Sequence, residues 1–512
     1  MEVRCSSQRY PNQEKFVKEK QHFPRRTAAA LVGFGLRQLF PQIQLIGGGD
    51  TSIGFEYVFS AEEPLPKEAL SMLDEWIRGR VRAALPIQIR EMVPQSARAL
   101  LESEGLLNLA GQIPDDAGLI EMVEIDGAYD LSSGPHLDNT SELKAFEILE
   151  IAPIDSEIYA IQGVTASNKQ ELKEWKKRLA AYRERNHIIV GKQMGLWRIE
   201  EESLTWLARG LHLRRAIPKL FVDQLPGIAS ELITPPPVGE EEGAPIAYTS
   251  GHLGQALHEM EAGYEPPIRT WEVIPHSSLG EGVEALFTPF EGTTLLWNSL
   301  VDRGSVTDEL TALLQSIHKT YKILGFHVLP LLSGKQGLLE EALRRAELSF
   351  EREEGDAVLN FQARDELGRE WTAATLQLYS HEEEELCSIT LTVPVERNLA
   401  LLLERSGGAL PRPLVPEVLR FVPLDAQHGP RAEQEKQLWS RLGYPVGVDN
   451  RRISPSERYR EAQEHRVPLI AIIGDAEVKS GTFSLRDAAG EVETLGRDKL
   501  LERVNAELNI EN

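Results

Sequence analysis

The sequence predicts a multidomain protein of mixed α+β and α/β class, and three observations carry that expectation. The chain has 512 residues with 41% hydrophobic and 26% charged, ordinary globular values that leave room for three or four domains, each with its own core. Several segments place apolar residues at helical spacing, among them Thr27 to Phe40 and Asp308 to Gly325. Beyond Arg412, short β-branched runs alternate with amphipathic segments, the pattern of helices covering both faces of a sheet.

Composition narrows the function. The formal net charge of -24 excludes a nonspecific nucleic-acid coat, and no DNA partner is expected, but a local basic RNA surface on an acidic body remains open. Two cysteines, Cys5 and Cys387, exclude a disulfide framework and a four-cysteine zinc site, and suggest a reducing compartment. No apolar run approaches the length of a membrane span, and MEVRCSSQRYPNQEK has no apolar signal core. A soluble, cytoplasmic protein with no membrane partner is expected.

Taken in order, residues 1 to 24 are polar and read as a strand or a loose end. The helix Thr27 to Phe40 presents Ala28, Leu31, Val32, Leu36 and Leu39 on one face and stops at Pro41. GGGDTSIGFEYVF reads as a glycine-rich turn entering a strand; without a Lys-Ser/Thr ending it is a weak phosphate signal. Pro64 to Arg82 reads as a second amphipathic helix. Ser167 to His187 reads as a long helix, capped by Ser167 with Gln170 or Asn168 with Glu171, with a solvated or RNA-facing basic side. Arg466 to Arg486, RVPLIAIIGDAEVKSGTFSLR, reads as a buried strand from Pro468 to Ile473, a turn at Gly474-Asp475, a polar link and a strand from Thr482. On residue types alone, Arg486 is a solvated strand end.

This last block resembles the anticodon-binding domain that closes threonyl-tRNA synthetases and related class II synthetases. The matching residues are Val467-Pro468, Gly474-Asp475-Ala476-Glu477-Val478, Ser480-Gly481 and Arg486. Upstream, Val446 to Asp449 with Arg451, and Arg460-Glu461, fit the same domain. The resemblance implies that Asn450, Arg451, Arg460, Glu477 and Arg486 face an anticodon loop, where arginine contacts phosphates and stacks on unpaired bases.

The rest of the chain resembles the same family. RRTAAALVGFGLRQLFP, GFEYVF and DLSSGPHLDNTSELKAF are similar to the editing domain, whose histidine pair and cysteine fall here on Arg26, Ala30 and Ser132. Asp130 and His136 stand as editing remnants, and Arg and Ala cannot ligate zinc. From Gly195 to about Ala409 the order of elements resembles the class II catalytic core. Leu207 to Leu225 with Ile233-Thr234-Pro235 fits the first motif, implying a homodimer; Val395-Glu396-Arg397 fits the third. Gln377 and Arg397 are the expected catalytic remnants, or hold the core by hydrogen bonds.

The second-motif Arg falls near Ser278, a strand Lys near Val358, and the zinc positions on Thr249, Thr293 and Ser388. Adenylation needs fixed cations on a phosphate, and hydroxyls are poor zinc ligands. Zinc is therefore not expected, no metal site is assigned, and ATP is left open as a cofactor. His252, His258 and His276 match no metal-ligand spacing.

The expected organisation is an editing-like α+β domain over 1–150, a linker helix region over 151–192, a class II synthetase-like antiparallel core over 193–410 and an α/β anticodon-binding-like domain over 411–512. The expected function is a tRNA-binding regulator or accessory protein without normal threonylation or zinc-dependent editing. The alternatives are a divergent ATP-dependent ligase that activates an amino or carboxylic acid, and a dimeric scaffold.

Overall fold

A computed structural model describes residues 22–508, apart from 52, 201–202, 233–254, 257, 261, 278–285, 290, 382–384 and 488. The chain divides into two compact units, residues 1–181 and 182–512.

The first unit begins with helix α1, His22–Leu39, so His22 to Pro24 are helical rather than strand or loose end. Strands β1 (Gln44–Asp50) and β2 (Phe55–Ser60) form a hairpin, followed by α2 (Ala69–Ala83) and β3 (Ile87–Met92). Short helices α3 (Pro94–Ser103) and α4 (Leu107–Gly111) lead to β4 (Ile120–Ile125) and β5 (Ala128–Leu131). β6 (Ala145–Pro153), β7 (Ile158–Ala166) and α5 (Lys169–Arg185) follow. β1-β2-β7-β6 make an antiparallel sheet, and β3-β4-β5 a second. Ala28, Leu31, Val32 and Leu36 of α1 are buried with Phe55, Tyr57 and Phe59 of β2 and Leu73 and Ile77 of α2 in one core.

The glycine run is strand, not turn, for a steric reason. A Cβ on Gly48 would lie 2.3 Å from the Tyr57 ring, and one on Gly33 of α1 2.4 Å from it. Glycine at both positions lets this large ring lie fully buried between helix and hairpin. At α5 the Asn168–Glu171 alternative holds: Asn168 Oδ1 accepts from Glu171 N at 2.9 Å, while the Glu171 carboxylate accepts from Ser167 N at 3.1 Å.

The second unit opens with α6 (His187–Gln193), the hairpin β8 (Trp197–Glu200) and β9 (Ser203–Trp206), and α7 (Ala208–Gln224). Then come β10 (Ser230–Glu231), β11 (Ile268–Ser277), β12 (Glu291–Asp302), α8 (Val306–Leu324), β13 (Leu329–Ser333) and α9 (Gly337–Arg345). β14 (Glu351–Glu353), β15 (Val358–Arg364), β16 (Glu370–His381), β17 (Leu386–Pro394) and α10 (Val395–Ser406) complete the core. The eight strands are ordered β10-β11-β12-β17-β16-β15-β13-β14, antiparallel except at the two outermost pairs. Alternation gives the sheet two faces. Leu295, Trp297 and Val301 of β12 and Ile389, Leu391 and Val393 of β17 are buried with α7, α8 and α10 in the largest core of the chain. The opposite face carries the polar Asn298, Thr390 and Thr392 together with Leu296 and Leu300, which sit in smaller apolar clusters.

The C-terminal sheet is ordered β19-β18-β20-β21-β22. Its strands are β18 (Leu419–Pro423), β19 (Val446–Val448), β20 (Leu469–Ile473), β21 (Phe483–Asp487) and β22 (Val492–Leu495). β19, β18 and β20 are parallel; β21 and β22 continue antiparallel. Helices α11 (Gly429–Arg441) and α14 (Arg497–Leu508) bury Trp439, Leu500 and Val504 in one core; α12 (Pro455–Glu464) buries Ala462 with Val422 and Ile470 in another. The link after β20 is not irregular: Asp475–Ser480 is a short helix, α13, with the Glu477 carboxylate accepting from Gly474 N at 2.9 Å. The expected mixed α+β and α/β class is the one observed.

Candidate nucleic-acid interface and two altered sites

Arg486 sits on β21 opposite Ile470, on the side of the sheet covered by α12. Its guanidinium lies 4.5 Å from the centroid of the Tyr459 ring, and its Nε is buried without a hydrogen-bond partner. A guanidinium stacked on an aromatic ring with spare donors is a platform for an unpaired base or a phosphate. Ser484, two residues back on the same face, donates to Glu477 Oε1 at 2.6 Å. That hydrogen bond, with Gly474 N, holds the Glu477 carboxyl below its ordinary pKa. The structure thus places Glu477, through Ser484, and Arg486, on Tyr459, at the same strand.

Asn450 and Arg451 follow the end of β19. Asn450 Nδ2 donates to Glu433 at 2.8 Å. Arg451 is bidentate on Asp449, at 2.9 and 2.6 Å, and reaches Glu461 of α12 at 2.8 Å. These bonds raise its pKa, with the Asp449 hydrogen bond the largest cause. Arg460 is exposed and only loosely paired with Glu464, at 3.8 Å.

Sequence reasoning missed Tyr459 and Arg458. Arg458 is buried, donates to Asp449 O at 2.9 Å, and ties α12 to the end of β19. The signal for Tyr459 was present: an aromatic between two arginines in Arg458-Tyr459-Arg460.

In the first unit, Asp130 is buried at the end of β5 and accepts from Tyr57 Oη at 2.7 Å and from Leu131 N at 2.8 Å. Burial pushes its pKa up to about 6, against those two hydrogen bonds. His136, which follows Gly134-Pro135 outside any helix or strand, is buried. Its Nδ1 lies 3.4 Å from Thr27 Oγ1, and its Nε2 has no partner. Burial and the nearby Arg26 press its pKa down to about 4. Arg26 donates to Asp50 at 2.5 Å, and His22 donates to the same carboxylate at 2.6 Å. A Cβ at Gly134 would lie 2.6 Å from Arg26 Nη1, so the guanidinium fills the space beside the loop that carries His136. Ser132 Oγ turns back to Gly134 O at 2.9 Å. Of the two histidines here, His22 is paired with Asp50, which Arg26 also holds, and only His136 keeps a buried ring nitrogen unengaged, a donor set that does not fit zinc.

In the core, Thr270, Asn298, Thr390 and Gln377 stand in one cross-strand row on that opposite face of the eight-stranded sheet. Thr390 Oγ1 donates to Asn298 Oδ1 at 2.6 Å, and the buried Asn298 Nδ2 has no partner. Gln377 is half-buried in this row. Arg397, at the start of α10, is committed to its own chain: Nε donates to Phe287 O and Nη1 to Thr372 O, both at 2.9 Å. Trp371 lies 5.8 Å from that guanidinium and stacks on Phe287 at 4.4 Å and 12°. Burial lowers the Arg397 pKa. Arg397 and Gln377 are therefore separated in role, one a tie between backbone segments, the other half-buried in a polar row.

Glu396 accepts from Arg214 Nε at 2.6 Å and from Thr293 N and Oγ1 at 2.7 and 2.9 Å. The Thr293 hydroxyl is spent in that bond, so it does not fit a zinc ligand. Val358 is half-buried on β15. Ile233 to Pro235, Thr249, His252 and Ser278 lie outside the described residues, as does the His276 side chain.

Residues 420–507 match the family described as "Anticodon binding domain", and residues 120–178 the "Threonyl and Alanyl tRNA synthetase second additional domain". Two segments of the chain thus match aminoacyl-tRNA synthetase domains, and domains of this kind imply tRNA as a partner. It is 25% identical to a threonine–tRNA ligase of Thermotoga maritima, over 96% of this chain and 88% of that one. To threonine–tRNA ligase 1 of Bacillus subtilis it is 23% identical, over 94% and 88%. A solved structure titled as the RNA binding domain of threonyl-tRNA synthetase from Cryptosporidium parvum shares the fold, with a TM-score of 0.53, 18% identity, and coverage of 63% of this chain and 98% of that one. Over most of its length the chain resembles threonyl-tRNA synthetases. No helix among the described residues is long and apolar enough to cross a membrane.

Proposed function

We propose that this protein binds tRNA through its C-terminal domain and does not threonylate it, acting as a homodimeric regulator or accessory protein. The single observation that carries the reading is the commitment of Arg397. The one cation expected to face ATP spends Nε and Nη1 on the carbonyls of Phe287 and Thr372, and Trp371 lies against it. Charge developing on a phosphate needs donors aimed at it in advance, and donors already satisfied by the chain do not supply that. On this reading the core holds no zinc, the first unit does not edit by a metal or by a cysteine, and Asp130 and His136 are structural.

Asn450, Arg451, Arg460, Glu477 and Arg486 are the proposed tRNA contacts, with Tyr459 as the stacking surface under Arg486. A gel shift with tRNA tests this reading. The wild type binds, Arg486→Ala and Arg460→Ala bind more weakly, and binding indifferent to both substitutions rejects it.

A second reading has one observation in its favour. The unpartnered Asn298 Nδ2, amid Thr390 and Gln377, is a polar group awaiting a ligand, as in a core that still activates an amino or carboxylic acid with ATP. A titration with ATP separates the two readings.

A further inference from the structure

A cavity of about 520 Å³ lies inside the second unit, where the start of α7 meets β18, β19 and α12 of the C-terminal domain. Its volume suits a small ligand. Four cationic side chains line it, Arg209, Arg420, Lys436 and Arg451, against three carboxylates, Glu417, Asp449 and Glu461. In a chain of net charge -24, this is a local surplus of positive charge.

The surplus is unevenly placed. Arg451 is held by Asp449 and Glu461 together. Arg209 and Arg420 share one carboxylate: Arg209 Nη1 donates to Glu417 Oε2 at 2.7 Å, and Arg420 donates through Nε to Oε1 at 2.9 Å and through Nη2 to Oε2. Arg209 also donates through Nε to Met194 O at 3.1 Å and through Nη2 to His465 O at 2.6 Å, which leaves one N–H on each terminal nitrogen for a ligand. A Cβ on Gly447 would lie 2.0 Å from Glu417 Oε1, so glycine there leaves room for this arrangement. The Nδ1 of His465 lies 3.2 Å from Arg420 Nη2, where it accepts. Burial and the two guanidiniums press the His465 pKa down to about 4, and burial lowers that of Arg209 to about 10. Burial is the larger cause of both shifts, and Arg420 adds to each.

Two largely buried guanidiniums on one carboxylate leave a charge uncompensated, and an uncompensated charge away from water is costly. An anion in the cavity removes that cost, and the planar fork of arginine matches phosphate oxygens. We propose that this cavity binds a phosphate group, held by Arg420 of the C-terminal sheet and Lys436, with the remaining N–H groups of Arg209 of the core as a third contact. Bound there, it ties the two parts of the unit together. The phosphate comes either from a free phosphate-bearing molecule or from an RNA backbone; only the second source rests on the tRNA reading above.

The test is calorimetric titration of the full chain with inorganic pyrophosphate at low ionic strength, beside a tRNA-binding titration. The proteins are wild type, Arg209→Gln and Lys436→Gln. Arg209→Gln leaves Glu417 paired with Arg420, and thermal melting checks that each variant folds. Loss of one charge-assisted contact weakens binding about tenfold. Pyrophosphate affinity that falls about tenfold in Arg209→Gln, and severalfold in Lys436→Gln, supports a free anion as ligand. tRNA affinity that falls in the same two variants supports an RNA phosphate. If neither pyrophosphate nor tRNA binding responds to either substitution, the proposal is overturned. A protein that binds no tRNA at all leaves the pyrophosphate arm to decide alone.

Discussion

Arg397 and Arg486 both stand at positions where sequence reasoning expects a nucleic acid or nucleotide contact, and the structure treats them in opposite ways. Arg397 satisfies two backbone carbonyls that its neighbours leave open. Arg486 satisfies none with its Nε and rests on the face of Tyr459. A guanidinium has five donors in a fixed fork, so its role depends on where they are aimed: Arg397 turns two of them onto its own backbone, while Arg486 lies over a ring. The same contrast extends outward. In the body, Arg26 is spent on Asp50 and Glu396 on Arg214 and Thr293; in the C-terminal domain, Arg460 stays exposed and loosely paired.

The sharpest way to test the body side of this contrast is Asp130→Asn. Burial raises the folded-state pKa of Asp130 from 3.8 to about 6, so the native state holds the proton more tightly than the unfolded chain. The stabilisation is fully present below the unfolded pKa and is lost as pH rises through about 6. Above that pH the ionised carboxyl costs about 3 kcal/mol at most. The amide that replaces it cannot ionise, and its oxygen still accepts from Tyr57. Urea denaturation therefore shows the variant more stable than wild type at pH 7.5, with the difference vanishing near pH 4. A loss of stability at every pH would mean that Asp130 makes a contact its burial does not explain.

Arg397→Ala is expected to cost about 2 kcal/mol of stability, because it strands the carbonyls of Phe287 and Thr372. It should leave tRNA affinity unchanged. Arg486→Ala is expected to do the reverse: a loss of about 1–2 kcal/mol in tRNA binding, as for a stacked base, with denaturation midpoints nearly unmoved. Arg460→Ala has the smallest effect, a few-fold loss in affinity together with a shallower salt dependence, as expected for one exposed phosphate contact.

Much of the fold was legible because its signals are local. The apolar run Leu469 to Ile473 is the central strand of the C-terminal sheet, and the periodic stretch after Asp308 lies in a core helix. The glycine run before Asp50 misled because glycine there answers a distant ring, Tyr57, rather than a local bend. The link after Gly474 misled because its helix is only six residues long and is held by the side chain of Glu477. The site was less legible than the fold for the same reason. Arg397 and Arg486 look alike in sequence, and only the groups that meet them in space separate a tie from a contact. Tyr459, which sets the posture of Arg486, approaches from another element.

Amino-acid-dependent exchange of pyrophosphate into ATP, with threonine supplied in excess, tests the central claim most directly. A core whose surviving cation is spent on its own backbone gives exchange at the level of the protein-free control. Brisk threonine-dependent exchange would contradict it, and would make the chain a working ligase despite the bonds Arg397 makes.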